Sequence, residues 1–288
     1  MSPVCPDIVH DVGVNRAVGT ITRGTTNPNR LRRCDRWLVA TQRPRLTDRG
    51  STVVDLGFGA SPVTTLELAQ RLREAGLRCH VVGLEIDPER VAFAREMLRS
   101  AGDLRSGVEF AYGGFEIPRA AGARVEVVRA FNVLRQYAET EVPGAWETMR
   151  SRLAPDGVVI DGTCDELGRR MTWVLLDRSG PVSLTVSVAL PAIDTPSDVA
   201  ERLPKALIHR NVEGERVHAL LRDWDTTWRN AAPLASFGRR QRFVASVRGL
   251  RDLGWPVLGG PARWRLGEMT VAWEAVRPGA PMPAPRSR

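Results

Sequence analysis

Residues 53–62 read Val-Val-Asp-Leu-Gly-Phe-Gly-Ala-Ser-Pro and decide the fold. An apolar run ending in an acid predicts a buried strand, and the glycines and Pro62 predict a tight turn into a helix. Gly57 and Gly59 allow backbone conformations closed to residues with a Cβ, and they let a ligand lie directly against the main chain. The first N–H groups of the following helix would point at that ligand. The stretch therefore predicts a binding site at the end of a strand.

The next predicted strand ends in Gly-Leu-Glu-Ile-Asp-Pro at residues 83–88. Glu85 stands 28 residues after Gly57. In an open α/β sheet, a carboxylate at that place lies beside the first loop and accepts hydrogen bonds from the two hydroxyls of a ribose. The pair of motifs predicts a nucleotide-like ligand.

The remaining pattern predicts an α/β fold. Apolar runs of strand length alternate with amphipathic segments, which indicates βαβ units and a Rossmann-like, mostly parallel sheet with helices on both faces. We expect seven strands, of which the last two form an antiparallel hairpin. The predicted strands are 53–56, 81–85, 108–111, 125–131, 158–161, 172–176 and 182–190, and the predicted helices of this part are 62–75, 88–100 and 139–153.

Charge and periodicity divide the chain into four parts. Residues 1–50 form a basic N-terminal extension with nine arginines and four aspartates, which is +5 of the net +8. Residues 51–194 form the α/β core. Residues 195–277 are a mainly helical C-terminal extension and a candidate lid, with one further strand at 268–276. Residues 278–288 hold four prolines and are expected to be a disordered tail.

The composition argues against several classes of protein. With 43% hydrophobic and 26% charged residues, the chain is typical of a globular protein. It has no apolar run of about 18 residues for a membrane span and no secretory signal, so we expect a cytoplasmic protein. The four cysteines occur singly and no two histidines lie at helical spacing, so we expect no metal. Only one of the 41 basic residues is a lysine, Lys205.

Two common nucleotide sites fit the glycine loop poorly. A dinucleotide fingerprint has a third glycine where Pro62 stands and an acid about 20 residues on, so a nicotinamide-dependent oxidoreductase is disfavoured. A phosphate-binding loop of the G-x-x-x-x-G-K-[ST] type requires a lysine, and Lys205 is far from the loop.

The motifs Asp55-Leu-Gly57-Phe-Gly59 and Gly83-Leu-Glu85-Ile-Asp87-Pro88 resemble the first two motifs of the class I S-adenosylmethionine-dependent methyltransferases. The resemblance covers roughly residues 50–190 and implies S-adenosyl-L-methionine as the cofactor. In that family the glycine loop holds the amino-acid part of the cofactor, and the acid matching Glu85 holds the ribose. The cofactor contacts that the resemblance implies are Asp55, Gly57, Phe58, Gly59, Glu85 and Ile86.

The third and fourth strands supply the remaining candidates. Gly114 stands where the family often has an acid toward the adenine, and Phe115 after it either packs on the adenine or belongs to the core. The loop after the fourth strand resembles the one that faces the methyl group. Its candidates for the acceptor side are Asn132, Arg135 and Tyr137, and Asn132 is also a candidate cofactor contact. Alternatively, Asn132 caps the next helix and Arg135 is a solvated charge.

These features predict an S-adenosylmethionine-dependent methyltransferase whose acceptor is a small molecule or RNA. The alternative is a non-catalytic protein of the same fold that binds RNA through its arginine-rich N-terminus, with an affinity that falls steeply with salt. The lack of aromatic residues between Arg23 and Trp37 argues against specific RNA recognition. Cys164 has no base near it in the sequence, so we expect it to be a packing residue.

Overall fold

The computed structural model describes residues 17–21, 24–46, 50–100, 102, 106–118 and 124–279. Most of the predicted tail, residues 280–288, lies outside this part. The strands are β1 (Thr52–Leu56), β2 (His80–Glu85), β3 (Val108–Tyr112), β4 (Val125–Phe131), β5 (Leu153–Cys164), β6 (Arg170–Leu176), β7 (Pro181–Val188), β8 (Val257–Leu258) and β9 (Glu268–Ala272). The helices are α1 (Arg32–Thr41), α2 (Val63–Glu74), α3 (Pro88–Arg99), α4 (Val142–Arg150), α5 (Lys205–Ile208), α6 (Arg216–Asn230), α7 (Arg239–Asp252) and α8 (Pro261–Trp264).

The predicted α/β fold is confirmed. Strands β1 to β5 form a parallel half in the order β3-β2-β1-β4-β5. Strand β1 is buried along its whole length, as expected of a central parallel strand with helices on both faces. Helices α1, α2 and α3 contribute to the apolar core on one face, and α4, α6 and α7 to the core on the other.

The sheet has nine strands in the described part, and the expected number of seven was too small. Strands β5, β6 and β7 form an antiparallel meander, as the predicted hairpin requires. Strand β9 then pairs antiparallel with β7, and β8 pairs with β9. The segment after residue 195 therefore extends the sheet as well as adding helices. The strand expected at 268–276 ends at Ala272, because a 3₁₀ turn follows at Trp273–Ala275.

Helix α1 packs on the sheet although it lies in the expected extension. Its apolar face, which includes Cys34, Trp37 and Leu38, is buried in the same core cluster as strand β1 and helix α2. The ring of Trp37 meets the ring of Trp173 on β6 edge to face, with 5.2 Å between centroids. Helix α1 therefore packs in the same apolar core as the central strand.

A buried ionic network joins α1 to the glycine loop. Arg129 on β4 is fully buried, and its Nε donates to Asp55 Oδ1 at 2.9 Å. Its Nη1 donates to Asp35 on α1, and its Nη2 donates to the carbonyl of Thr64 at 3.0 Å. Arg71 on α2 closes the network with a 2.6 Å bond to the other oxygen of Asp35. Buried charges are tolerated only when they are paired in this way.

We expect Arg129→Met to destabilise the fold by about 3–5 kcal/mol, because Asp35 and Asp55 would remain as buried carboxylates without their shared cation. The measurement is urea unfolding followed by circular dichroism. The control is Arg99→Met, which removes an exposed arginine paired with Glu96 and should cost at most about 1 kcal/mol. A loss no larger than that of the control would show that the network does not support the fold.

Candidate active site

Two cavities open at the carboxyl ends of β1, β2 and β4, and they share Leu56 and Gly57 in their walls. Cavity A has a volume of about 590 Å³ and lies toward the start of α2. Cavity B has a volume of about 280 Å³ and lies toward the end of β3. Both volumes include the open space at the mouths of the cavities.

The glycine loop between the cavities has no space for side chains. Gly57 has φ +71° and Gly59 has φ +83°, a region that favours glycine. A Cβ on Gly57 would lie 2.7 Å from a methyl carbon of Val133, and a Cβ on Gly59 would lie 2.8 Å from the Thr26 hydroxyl. The backbone conformation and the lack of space therefore require glycine at both positions, as predicted.

Glu85 lies directly against this loop. Its carboxylate accepts hydrogen bonds from the backbone N–H groups of Gly59 and Ile86, each at 2.9 Å. The Arg90 guanidinium is 3.6 Å from the same carboxylate, and Glu85 is only 2% exposed. Both Glu85 and Ile86 line cavity B. The structure thus brings the two sequence motifs into contact.

Asp55 and Phe58 hold the loop in shape. Asp55 lines cavity A, but one of its oxygens accepts from the Thr65 hydroxyl at 2.6 Å and both face Arg129. The Phe58 ring packs edge to face on Phe110, with 5.1 Å between centroids. The carbonyl oxygen of Phe58 accepts from the Thr26 hydroxyl at 3.0 Å. Both residues border the cavity, and their side chains are committed to the protein.

Phe115 belongs to the buried core, which is one of the two alternatives that the sequence left open, and its packing on an adenine stays a prediction. It lines cavity B and is also only 2% exposed within the core. Its ring packs against that of Tyr137, with 5.3 Å between centroids. Cavity B therefore has an aromatic wall beside Gly113 and Gly114, which carry no side chains.

The three acceptor candidates on the loop after β4 lie in three different places. Asn132 lines cavity A with φ +60°, and its amide bonds the backbone N–H of Cys164 at 3.0 Å and the Cys164 sulfur at 3.3 Å. It therefore ties β4 to β5 and does not cap a helix. Tyr137 lines cavity B. Arg135 lines neither cavity and is not a free charge, because it donates to the carbonyl of Glu201 at 2.8 Å. Gln136, which the sequence did not single out, lines cavity A instead.

Cys164 is buried at the end of β5, as expected for a packing residue. Burial raises the pKa of its thiol, so the reactive thiolate is disfavoured. The thiol accordingly serves as a partner for Asn132 rather than as a nucleophile.

An N-terminal strap, residues 17–21 and 24–31, crosses both cavities. The carbonyl of Val18 accepts from the Phe115 N–H at 3.0 Å, and its N–H donates to Glu116 at 2.9 Å. The Thr20 N–H donates to the Tyr137 hydroxyl at 2.5 Å. Farther along, the carbonyl of Gly24 accepts from the Ala60 N–H at 2.9 Å. Sequence reasoning missed the strap because most of these contacts use its backbone, which leaves no residue pattern.

Several arginines of the expected basic extension bind carbonyl oxygens of the core. Arg30, which also lines cavity A, donates to the carbonyl of Asp165 at 3.0 Å. The other such arginines are Arg33, Arg43 and Arg45, which donate to the carbonyls of Leu266, Ala75 and Asp156. Their N–H groups attach the segment to the core, which does not favour RNA binding through this segment.

In the described residues, no three histidine, cysteine or acidic side chains gather as metal ligands do. Among the helices of that part, none has the length and apolar character to cross a bilayer.

Comparison with known proteins identifies one domain family. The sequence model described as "Methyltransferase domain" matches residues 47–213, which is more than half of the chain. No curated protein sequence gives a significant match.

Solved structures with a similar fold include three methyltransferases. The CcbJ methyltransferase from Streptomyces caelestis is 18% identical over 58% of this chain and 73% of its own, with a TM-score of 0.38. Magnesium protoporphyrin IX methyltransferase from Synechocystis PCC 6803 is 22% identical over 46% and 54%, with a TM-score of 0.36. A methyltransferase from Geobacter sulfurreducens, in complex with S-adenosyl-L-homocysteine, is 19% identical over 49% and 50%, with a TM-score of 0.34. The family assignment rests on the domain match and not on these low scores.

We expect Tyr137→Phe to loosen the strap, because the Thr20 N–H loses its acceptor. The loss of one hydrogen bond worth about 0.5–1.5 kcal/mol should speed amide exchange in residues 17–21 by about two- to tenfold. Hydrogen exchange read by mass spectrometry measures this. Tyr112→Phe is the control, since Tyr112 is the chain's other tyrosine and is exposed at the end of β3. Equal exchange in both variants would contradict the role given to Tyr137.

Proposed function

The chain belongs to the methyltransferase-domain family and is a class I S-adenosylmethionine-dependent methyltransferase, and on this premise we propose that cavities A and B together hold the cofactor. The observation that carries the proposal is the 2.9 Å contact between the Gly59 N–H and the Glu85 carboxylate, at the junction of the cavities. We further propose that the acceptor is a small molecule that reaches the methyl group through cavity A.

Cavity B suits the adenosine part of the cofactor. Each carboxylate oxygen can accept more than one hydrogen bond, so Glu85 can take donors from ribose hydroxyls beside the backbone groups that it already binds. Phe115 and Ile86 offer apolar surface to a base.

Cavity A suits the amino-acid part and the acceptor. Arg30 supplies a cation for a carboxylate, and the absence of side chains at Gly57 and Gly59 lets a ligand lie against the main chain. Asn132 and Gln136 line the same cavity and can hydrogen-bond an acceptor. Arg135 acts at a distance by fixing the turn at Glu201.

The C-terminal segment forms part of the acceptor wall in this proposal. The carbonyl of Arg202 accepts from the hydroxyls of Thr163 and Thr172, at the ends of β5 and β6. Together with the bond from Arg135 to Glu201, these contacts hold the segment over the carboxyl edge of the sheet. The strap is then the better candidate for the element that opens, because exposed backbone hydrogen bonds hold much of it.

When bound, S-adenosylmethionine supplies a methyl group already activated on a sulfonium, so the protein mainly aligns the acceptor and excludes water. The strap excludes water by covering both cavities. The acidic residues that line the cavities, Asp55 and Glu85, are already bonded to Arg129 and to backbone N–H groups. Neither is a free general base, so this site favours an acceptor whose nucleophilic atom is unprotonated at the working pH.

We expect Glu85→Ala to weaken S-adenosylhomocysteine binding by about 1.5–3 kcal/mol, because hydrogen bonds to a charged acceptor are lost. Isothermal titration calorimetry should then give a dissociation constant raised about 10- to 150-fold. Glu89→Ala removes an exposed carboxylate from the first turn of α3 and should leave the constant unchanged. Equal constants for Glu85→Ala and the wild type would reject the ribose assignment.

We expect Gly57→Val to abolish S-adenosylhomocysteine binding, because its side chain would collide with Val133 and enter the space shared by the cavities. The far-UV circular dichroism spectrum should stay close to that of the wild type. Gly76→Val is the matched control: Gly76 has φ +77°, but a Cβ there would meet no atom within 4 Å. It imposes comparable backbone strain and should keep binding. Normal binding by Gly57→Val would place the ligand elsewhere.

A further inference from the structure

A third cavity, the basic groove, lies on the other side of α1 from the glycine loop. Its volume is about 780 Å³ when the open space at its mouth is included. Its walls come from α1, from the turn after β7, from α7 and from the turn between α8 and β9. Its charged lining residues are Arg32, Arg33, Arg36, Arg240, Arg265 and Glu268.

The charge of this groove is poorly compensated. Glu268 is 4% exposed and is already paired with Arg263 through a 2.6 Å hydrogen bond. No carboxylate of the described residues lies within ion-pairing distance of the four exposed arginines, Arg32, Arg36, Arg240 and Arg265. Burial lowers the pKa of the Arg33 guanidinium, and the Glu268 carboxylate opposes this shift more than either Arg32 or Arg36 adds to it. The lining nevertheless has five arginines and only one carboxylate, so the electrostatic field in the groove is positive. Such a field attracts a multiply charged anion.

Hydrogen bonds between neighbouring elements hold the walls of the groove in place. Arg33 donates to the carbonyl of Leu266 at 3.0 Å, which fixes α1 to the turn before β9. Arg239 donates to the carbonyls of Leu190 and Ile193, which fixes the turn after β7 to α7. The walls that carry the free arginines are therefore held in place by other arginines.

The groove and cavity A share the start of α1 as a wall. Arg30 and Leu31 line cavity A, and the next two residues, Arg32 and Arg33, line the groove. Consecutive Cα atoms lie about 3.8 Å apart. A ligand that extends from the groove to cavity A must pass the first turn of α1, which is about 10–12 Å across with its side chains.

We propose that the basic groove binds the phosphate or diphosphate group of the methyl acceptor, so that the acceptor is a phosphorylated small molecule. This inference rests on the proposed function. Arginine binds phosphate oxygens through its planar fork of N–H groups, and several arginines from separate elements suit a group with more than one negative charge. The groove lining contains no aromatic side chain on which nucleic acid bases would stack, so RNA is a poorer fit.

The first test is titration of the full chain with inorganic pyrophosphate. The variant Arg32→Gln/Arg240→Gln removes one cation from each of two walls. We expect it to bind pyrophosphate at least tenfold more weakly than the wild type, with unchanged affinity for S-adenosylhomocysteine. The control Arg99→Gln/Arg248→Gln makes the same change of net charge at exposed positions outside the groove and should bind as the wild type does.

Two results of this titration would overturn the groove site: no binding of pyrophosphate by the wild type, or equal weakening in both double variants. The failure of the proposed function is seen separately, as a wild type that does not bind S-adenosylhomocysteine.

The second test concerns the acceptor. Small-molecule cell extract is incubated with the wild type and S-adenosylmethionine carrying a labelled methyl group, before and after treatment of the extract with phosphatase. We expect labelled small-molecule product only from untreated extract and at least tenfold less of it with Arg32→Gln/Arg240→Gln. Equal product after phosphatase treatment, or label that appears in added RNA instead, would overturn the proposal.

Discussion

The buried bond between Arg129 and its two aspartates sets the geometry of everything around it. A guanidinium excluded from water is stable only while both carboxylates stay in place, so the docking of α1 and the position of Asp55 are energetically linked. Asp55 is the penultimate residue of β1, two positions before Gly57, and Asp35 lies one turn into α1. The same network therefore fixes the loop that borders both cavities, the helix that separates cavity A from the basic groove, and the end of the strap.

The sequence predicted the part of the site that depends on backbone type and strand order. Glycine at 57 and 59 and an acid at 85 must meet, because parallel neighbouring strands bring their carboxyl ends to one edge, and the Gly59 N–H does lie 2.9 Å from Glu85. The side chains of the loop after β4 that face the cavity were harder to predict. Asn132 takes a positive φ and a 3₁₀ turn follows it, so which side chains face the cavity cannot be counted from a strand or helix period; Gln136 lines cavity A and Arg135 does not.

Pairing between strands that are far apart in the sequence was the other feature that the sequence did not predict. An alternating run near residue 270 predicts a strand. Nothing in its residues indicates that it pairs with β7 or that β8 pairs with it, so these two strands were assigned to the C-terminal extension and not to the sheet.

The strap could not be predicted from the sequence for a related reason. Val18 and Gly24 contact the core through main-chain groups that every residue has. The only trace of these contacts in the sequence is the glycine at positions 59 and 114, where a Cβ would collide with the strap.

The fold uses several of the arginines of the N-terminal segment as hydrogen-bond donors to carbonyl oxygens, which changes what the net charge means. An arginine has five N–H donors, so it can satisfy carbonyl oxygens and keep its charge without an acidic partner. Among the described arginines of the first fifty residues, Arg30, Arg33, Arg43 and Arg45 are used in this way. The other two, Arg32 and Arg36, both face the basic groove. Positive charge that the sequence concentrates in residues 1–50 is thus divided by the fold into arginines that attach the N-terminal segment and arginines that line the basic groove.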